Sequence, residues 1–308
     1  MSLCGELGLT VGPTERDVKK AAAKRNLEAE LEAKALALQI PRLQMQPKPL
    51  EANHVIDLDK QLLAVSVGHF ADGCPITMTY SHYSKPEFIT KLGDAIASVV
   101  EAVPHGGVLV FLPSYSLLLR RCVKSWNPTS SRRGWGRDDF YMDTGESVWD
   151  RLVASKGKVI VEPSGSQTKF EEARDDYADT IRTTGNCILL AVFRGKMSEG
   201  IHLTTTMQPR AVICVGIPFK MIKSTAIKAK MDYNTEQRRF NNRNDLLPGN
   251  EWYTQQAYRA IAQALGRCIC HAADCGSVIL MDLRHCDDGA PMNDGVCNAH
   301  RQLPKWMR

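Results

Sequence analysis

Five short apolar runs constrain this chain more than any other feature. They are GGVLVFLPS (106–114), KVIVEP (158–163), CILLAVF (187–193), RAVICVGIP (210–218) and GSVILMD (276–282). Each is nearly continuous rather than alternating. A strand with one wet face alternates, whereas a strand buried on both faces of a parallel sheet does not. Segments of helical period separate most of the runs: 85–103, 116–126, 168–181 and 250–270. The third opens on Thr168 and Glu171 at capping-box spacing. Strands alternating with helices predict an α/β doubly wound domain, with a mostly parallel sheet and helices on both faces. In such domains ligands gather at the carboxyl ends of the strands. A hydrophobic share of 44% in 308 residues suffices for a sizeable core.

The flanks differ from this pattern. Residues 1–49 are expected to form a helical extension, a remnant or an insertion, and residues 50–308 the main domain. In the former, Thr14 and Asp17 have capping-box spacing, and Leu27, Leu31, Ala35 and Leu38 share one face before Pro41, Pro47 and Pro49 end the helix. In the polar stretch 127–147, Arg132, Arg133 and Arg137 interleave with Trp135, Phe140 and Tyr141. Such a pattern can stack bases and hold phosphates, but its polar, turn-rich composition favours a surface insertion. No apolar run approaches the roughly eighteen residues of a membrane span, and the amino terminus has no basic-then-apolar signal, so no membrane partner is expected. The formal net charge of +5 is mild. Of ten cysteines, Cys4, Cys74, Cys122, Cys187, Cys214 and Cys268 lie in or beside apolar segments and are expected to be buried free thiols. Cys268, Cys270, Cys275, Cys286 and Cys297 cluster with His271, His285 and His300 but lack paired C-x-x-C spacing, so no metal site is expected. A reducing compartment fits this usage.

Two stretches carry chemistry. In LLAVFRGKMSEGIHL (189–203) a buried strand breaks into two glycine-bearing turns. Gly195 and Gly200 allow close backbone approach to a ligand, Ser198 offers a hydroxyl and Glu199 a carboxylate. In QALGRC (263–268), Gln263 and Arg267 lie four residues apart on an expected helix and would share a face. Arg267 could present its planar fork to a γ-phosphate, or pair with a surface carboxylate.

Taken in order, FRGKMSEGIHL, RAVICVGIPF and LLPGNEWYTQQAYRAIAQALGRCICH resemble the second motor domain of superfamily 2 DNA helicases related to the xeroderma pigmentosum group D protein. Within that family they are most similar to the Fanconi anaemia group J branch. LEANHVI (50–56), LVFLPSY (109–115) and VIVEP (159–163) extend the resemblance over about residues 47–308. It implies a RecA-like second motor domain of an ATP-dependent 5′–3′ DNA helicase in nuclear DNA repair. Nucleotide-binding residues are then Gly195, Lys196, Ser198, Glu199, Gly200, Gln263, Gly266 and Arg267, with Gln263 and Arg267 catalytic. Ser114, Tyr115 and Arg194 are expected beside the nucleic-acid backbone. Implied partners are single-stranded or forked DNA, a first motor domain and repair factors.

The resemblance also implies ATP, Mg2+ and an iron–sulfur cluster. The phosphate loop G-x-x-x-x-G-K-[ST] and the Asp-Glu-x-His pair are not found here, and the family carries them, with the cluster cysteines, in its first motor domain. ATP and Mg2+ therefore need that domain, and the isolated chain is expected not to hydrolyse ATP. Two departures stand inside the motifs. His202 occupies the place of a family aspartate, and Cys270 that of a second arginine. An arginine finger contributes roughly 10³–10⁵ in phosphoryl-transfer rate, and a thiol has neither its charge nor its fork. A catalytically silent helicase-like protein that binds nucleic acid or a partner is thus the alternative expectation.

Overall fold

All five apolar runs become strands of one sheet. The computed structural model describes residues 55–127, 146–200, 209–241, 246–269, 271–286 and 302–307. The helix expected over 14–38, residues 128–145, Cys4, His202, Cys270, Cys297 and His300 lie outside the described residues. The chain divides into two compact units, one of residues 53–220 and 254–308, the other of residues 1–52 and 221–253.

The first unit holds the sheet. Its strands are β1 (Leu62–Val67), β2 (Gly107–Leu112), β3 (Val159–Val161), β4 (Ile188–Val192), β5 (Pro209–Val215) and β6 (Gly276–Met281). Their order is β1-β6-β5-β2-β4-β3, and every pairing is parallel. β2 and β4 are buried at every residue, as their continuous apolarity requires. Leu109, Phe111, Leu189, Ala191, Val212 and Cys214 face one core layer. Val108, Val110, Leu112, Leu190, Ile213 and Val215 face the other. β1 was not expected. It lies at the sheet edge with Leu63, Ala64, Val65 and Ser66 exposed, so it lacks the two-sided burial of β2 and β4.

The longer helices are α1 (Pro86–Ala102), α2 (Val148–Lys156), α3 (Gln167–Thr184), α4 (Thr225–Asn241) and α5 (Gly249–Leu265). α1 starts with proline at its first turn and buries Phe88, Ile89, Leu92, Ile96 and Val100 at helical spacing. After β2, a helical segment runs from Tyr115 to Trp126 with a π-wound middle turn, Leu118–Cys122. It ends on α1, where the Trp126 indole donates to the Ile89 carbonyl (2.8 Å). α3 begins earlier than Thr168 suggested. Its cap is Ser166, whose hydroxyl accepts the Lys169 N–H (3.3 Å).

α5 corrects a second expectation, because it ends at Leu265 rather than running to Cys270. The next amides bond backwards in tighter turns, Arg267 N–H to Ala264 and Cys268 N–H to Leu265. Gln263 and Arg267 therefore do not share a continuing helical face.

In the second unit, α4 was also not expected. It holds the following turn through Asn234, whose amide donates to the Leu247 carbonyl (3.1 Å), and Arg238, which donates to the Leu246 carbonyl (2.5 Å).

Cys122, Cys187, Cys214 and Cys268 are buried free thiols, whereas Cys74 is exposed. Cys74 lies in a tight turn, its carbonyl accepting from Phe70 and its amide donating to Asp72; the apolar neighbours that suggested burial do not cover it. No described helix is long and apolar enough to cross a membrane.

Candidate nucleotide and nucleic-acid site

Strands β2, β4 and β3 are neighbours, and the chain turns away from the sheet after each. The first residue after β3 is Glu162, fully buried. A buried carboxylate must be surrounded by donors or be heavily penalised, and three converge on this one. The Tyr115 hydroxyl, from the segment after β2, donates to Oε1 (2.6 Å). The Val192 amide, at the end of β4, donates to Oε2 (2.8 Å). The Met197 amide, from the short helix Lys196–Gly200 after β4, donates to Oε1 (3.1 Å). One side chain thus ties together the carboxyl ends of three adjacent strands, where α/β sheets bind ligands.

The sequence of the loop after β4 follows from this contact. A Cβ at Gly195 would stand 2.5 Å from Glu162 Oε1 and 2.8 Å from the Val192 carbonyl oxygen, so only glycine fits. Arg194 takes a left-handed conformation, φ 58°, uncommon for a residue with a side chain. Its guanidinium donates to the carbonyls of Pro218 (2.7 Å) and of Gln256 in α5. Those bonds offset a strained backbone.

α5 returns to the same loop at its end. Arg267, half-buried, donates through Nε (3.1 Å) and an Nη (2.6 Å) to the Ser198 carbonyl. Gly195, Ser198, Arg194 and Arg267 are thereby gathered at one place. Ser198 is buried, and its hydroxyl turns inward to the Gly195 carbonyl (2.8 Å). Lys196 is exposed, donates to Gln167 (2.8 Å) and lies over the Phe170 ring. Glu199 and Gly200 close the short helix, and the Glu199 side chain lies outside the described residues. Gln263 and Gly266 are exposed at the end of α5.

Of the residues expected beside nucleic acid, Tyr115 bonds Glu162, and Arg194 bonds the carbonyls of Pro218 and Gln256. The Ser114 hydroxyl caps the next turn by accepting the Leu117 N–H (3.2 Å). Burial, and then the Glu162 carboxylate, hold the Tyr115 phenol above its ordinary range. Glu162 is the residue that sequence reasoning missed. Its signal was a lone acid directly at the end of an apolar strand. Among the described residues no group of three or more His, Cys, Asp or Glu side chains could hold a metal ion.

The helicase C-terminal domain family matches residues 96–307. The Fanconi anaemia group J protein homologue of Gallus gallus is 36% identical over 263 residues, covering 84% of this chain and 18% of that protein. The regulator of telomere elongation helicase 1 homologue of Drosophila ananassae is 33% identical, covering 84% and 23% respectively. The chain thus spans about a fifth of the length of these curated relatives. Among solved structures, an XPD helicase covers 72% of this chain and 32% of its own at 20% identity, with a TM-score of 0.45. The S. tokodaii Xpd4 structure covers 73% and 35% at 12% identity, with a TM-score of 0.43.

Proposed function

Because this chain belongs to the helicase C-terminal domain family, we propose that it works as the second motor half of an ATP-dependent 5′–3′ DNA helicase in nuclear DNA repair. In this reading residues 50–308 are the motor domain and residues 1–49 an extension. Gly195, Lys196 and the short helix through Gly200 lie along the nucleotide, and Arg267 reaches its phosphates once a first motor domain closes over the carboxyl edge of the sheet. That domain brings the phosphate loop and the ligands for Mg2+. The ion neutralises phosphate charge when bound, and this chain's part is to aim a guanidinium.

The observation that most supports the reading is the bond from Arg267 to the Ser198 carbonyl. It holds the guanidinium against the glycine-bearing loop although 69 residues of chain separate the two. A planar fork already oriented needs little further ordering to meet phosphate oxygens. A catalytically silent relative that binds DNA or a partner protein is the second reading. It is favoured by Cys270 and His202, and by the inward turn of the Ser198 hydroxyl. Purified chain, free of other ATPases, is expected to release no phosphate from ATP above background, with or without single-stranded DNA. Turnover by the chain alone would refute the assignment of a motor half.

A further inference from the structure

Ser114, Tyr115 and Arg194 spend their polar groups on the protein itself, so a nucleic-acid strand at this edge needs other groups to grip. The segment just before α1 supplies them. It crosses the carboxyl ends of β6, β5 and β2. The Leu283 amide donates to the Ile76 carbonyl (2.7 Å) and the Met78 amide to Asp282 (3.1 Å), both just after β6. Met78 then packs against Gly216, after β5, and near Pro113, after β2. This anchored course delivers the turn Tyr80–Tyr83 to the rim.

Tyr80 is 72% exposed and meets the half-buried Tyr83 edge to face, with ring centroids 5.5 Å apart. A large ring held so openly gains little from the protein's own core. Cations border it. Arg121, from the helical segment after β2, donates to the Ser84 carbonyl (3.1 Å), which fixes it beside the tyrosines. Arg120 and Lys85 are exposed neighbours in sequence. The acids Asp72 and Glu87 share Lys91 at 2.8 Å, and Glu87 also feels Lys85, so Arg120 and Arg121 carry the positive charge of the rim. The rim therefore combines a bare aromatic face with positive charge that local carboxylates do not cancel.

We infer that Tyr80, Tyr83, Arg120 and Arg121 form a stacking platform for single-stranded nucleic acid, a base lying on Tyr80 while the arginines hold the adjoining phosphates. The inference rests on the reading of the chain as a DNA motor half, and it names the surface along which the strand runs. Stacking on tyrosine tolerates any base, because every base has a π-face. Phosphates held by arginine release their counterions and so carry the salt dependence. The two contributions are separable by experiment.

The test is fluorescence anisotropy of 5′-fluorescein-labelled dT15 with the 308-residue chain over a salt series. Tyr80→Ala should weaken binding by about 5- to 100-fold at every salt concentration, leaving the slope of log affinity against log salt unchanged. Tyr80→Trp should retain binding, and because the side chain is exposed neither change should disturb folding, which circular dichroism checks. Arg120→Gln with Arg121→Gln should flatten the slope by about 0.7 for each phosphate that is no longer neutralised. Arg182→Gln, on the last turn of α3, which leads into the amino end of β4, should behave as the unmodified chain. No binding at low salt overturns the platform, as does a Tyr80→Ala variant that binds normally or an Arg182→Gln variant that is equally impaired. If Ser114→Ala weakens binding and Tyr80→Ala does not, the platform falls while the motor reading stands.

Discussion

Replacing Glu162 by alanine removes the one acceptor shared by three strand ends. The Val192 and Met197 amides are left in a buried site, and each unsatisfied buried donor costs about 1–3 kcal/mol. The Tyr115 hydroxyl can partly turn to water, so its loss is nearer 1 kcal/mol, about that of an ordinary hydrogen bond. Releasing a buried carboxylate works in the opposite direction, and one water entering the small void would recover part of the loss. The net destabilisation should be about 3 kcal/mol, or about 6–12 °C in Tm for a domain of this size. Glu162→Gln should cost less, about 1–2 kcal/mol, because its amino group opposes one donor while its oxygen still accepts from another. Urea unfolding followed by circular dichroism measures this as a shift in midpoint at constant slope. Tyr115→Phe should be strongly non-additive with Glu162→Ala, with a coupling of about 0.5–3 kcal/mol. Hydrogen exchange should quicken at Val192 and Met197 together. A Glu162→Ala protein within about 0.5 kcal/mol of the unmodified chain, or full additivity with Tyr115→Phe, would refute the three-strand tie.

Two further expectations concern titrating groups. Burial pushes the Cys187 thiol up to about 12 and raises those of Cys122 and Cys214 further; since the thiolate is the reactive form, alkylation of the native chain near pH 8 should modify exposed Cys74 and Cys275 and spare these three, as mass spectrometry would read. The Lys91 ammonium, 2.8 Å away, holds Asp72 down to about 2. A lowered carboxyl contributes stability that is complete above its unfolded value, about 4, and is lost as pH falls through about 2. Lys91→Gln should move the Asp72 midpoint, followed by carboxyl-carbon NMR, up toward the ordinary carboxylate range; an unmoved midpoint would contradict the pairing.

The sheet was legible where strands are buried on both faces, because two-sided burial leaves continuous apolar runs such as 107–112 and 188–192. β1 escaped because its middle, Leu63–Ser66, is exposed, whereas β3 at the other edge keeps Val159–Val161 at least half-buried. α4 escaped because its charged and small residues blur helical periodicity, and it becomes visible through Asn234 and Arg238 pinning the next turn. The site was legible as two motif segments, but not as a contact between them. Sequence spacing placed Gln263 and Arg267 on one helical face, whereas the helix ends at Leu265 and Arg267 reaches Ser198 from a turn. Glu162 was hidden because an acid after a strand reads as the start of a loop. Only the fold shows three donors aimed at it.

The central claim is that Arg267, held on the loop after β4, acts on a nucleotide presented by another motor domain. The most direct measurement places residues 50–308 of this chain in the corresponding part of the Gallus gallus Fanconi anaemia group J homologue and follows phosphate release from ATP. A folded chimaera should hydrolyse ATP when single-stranded DNA is added, and Arg267→Ala should abolish that activity while circular dichroism remains unchanged. A folded chimaera that is inert, or that turns over equally well with Arg267→Ala, would contradict the account.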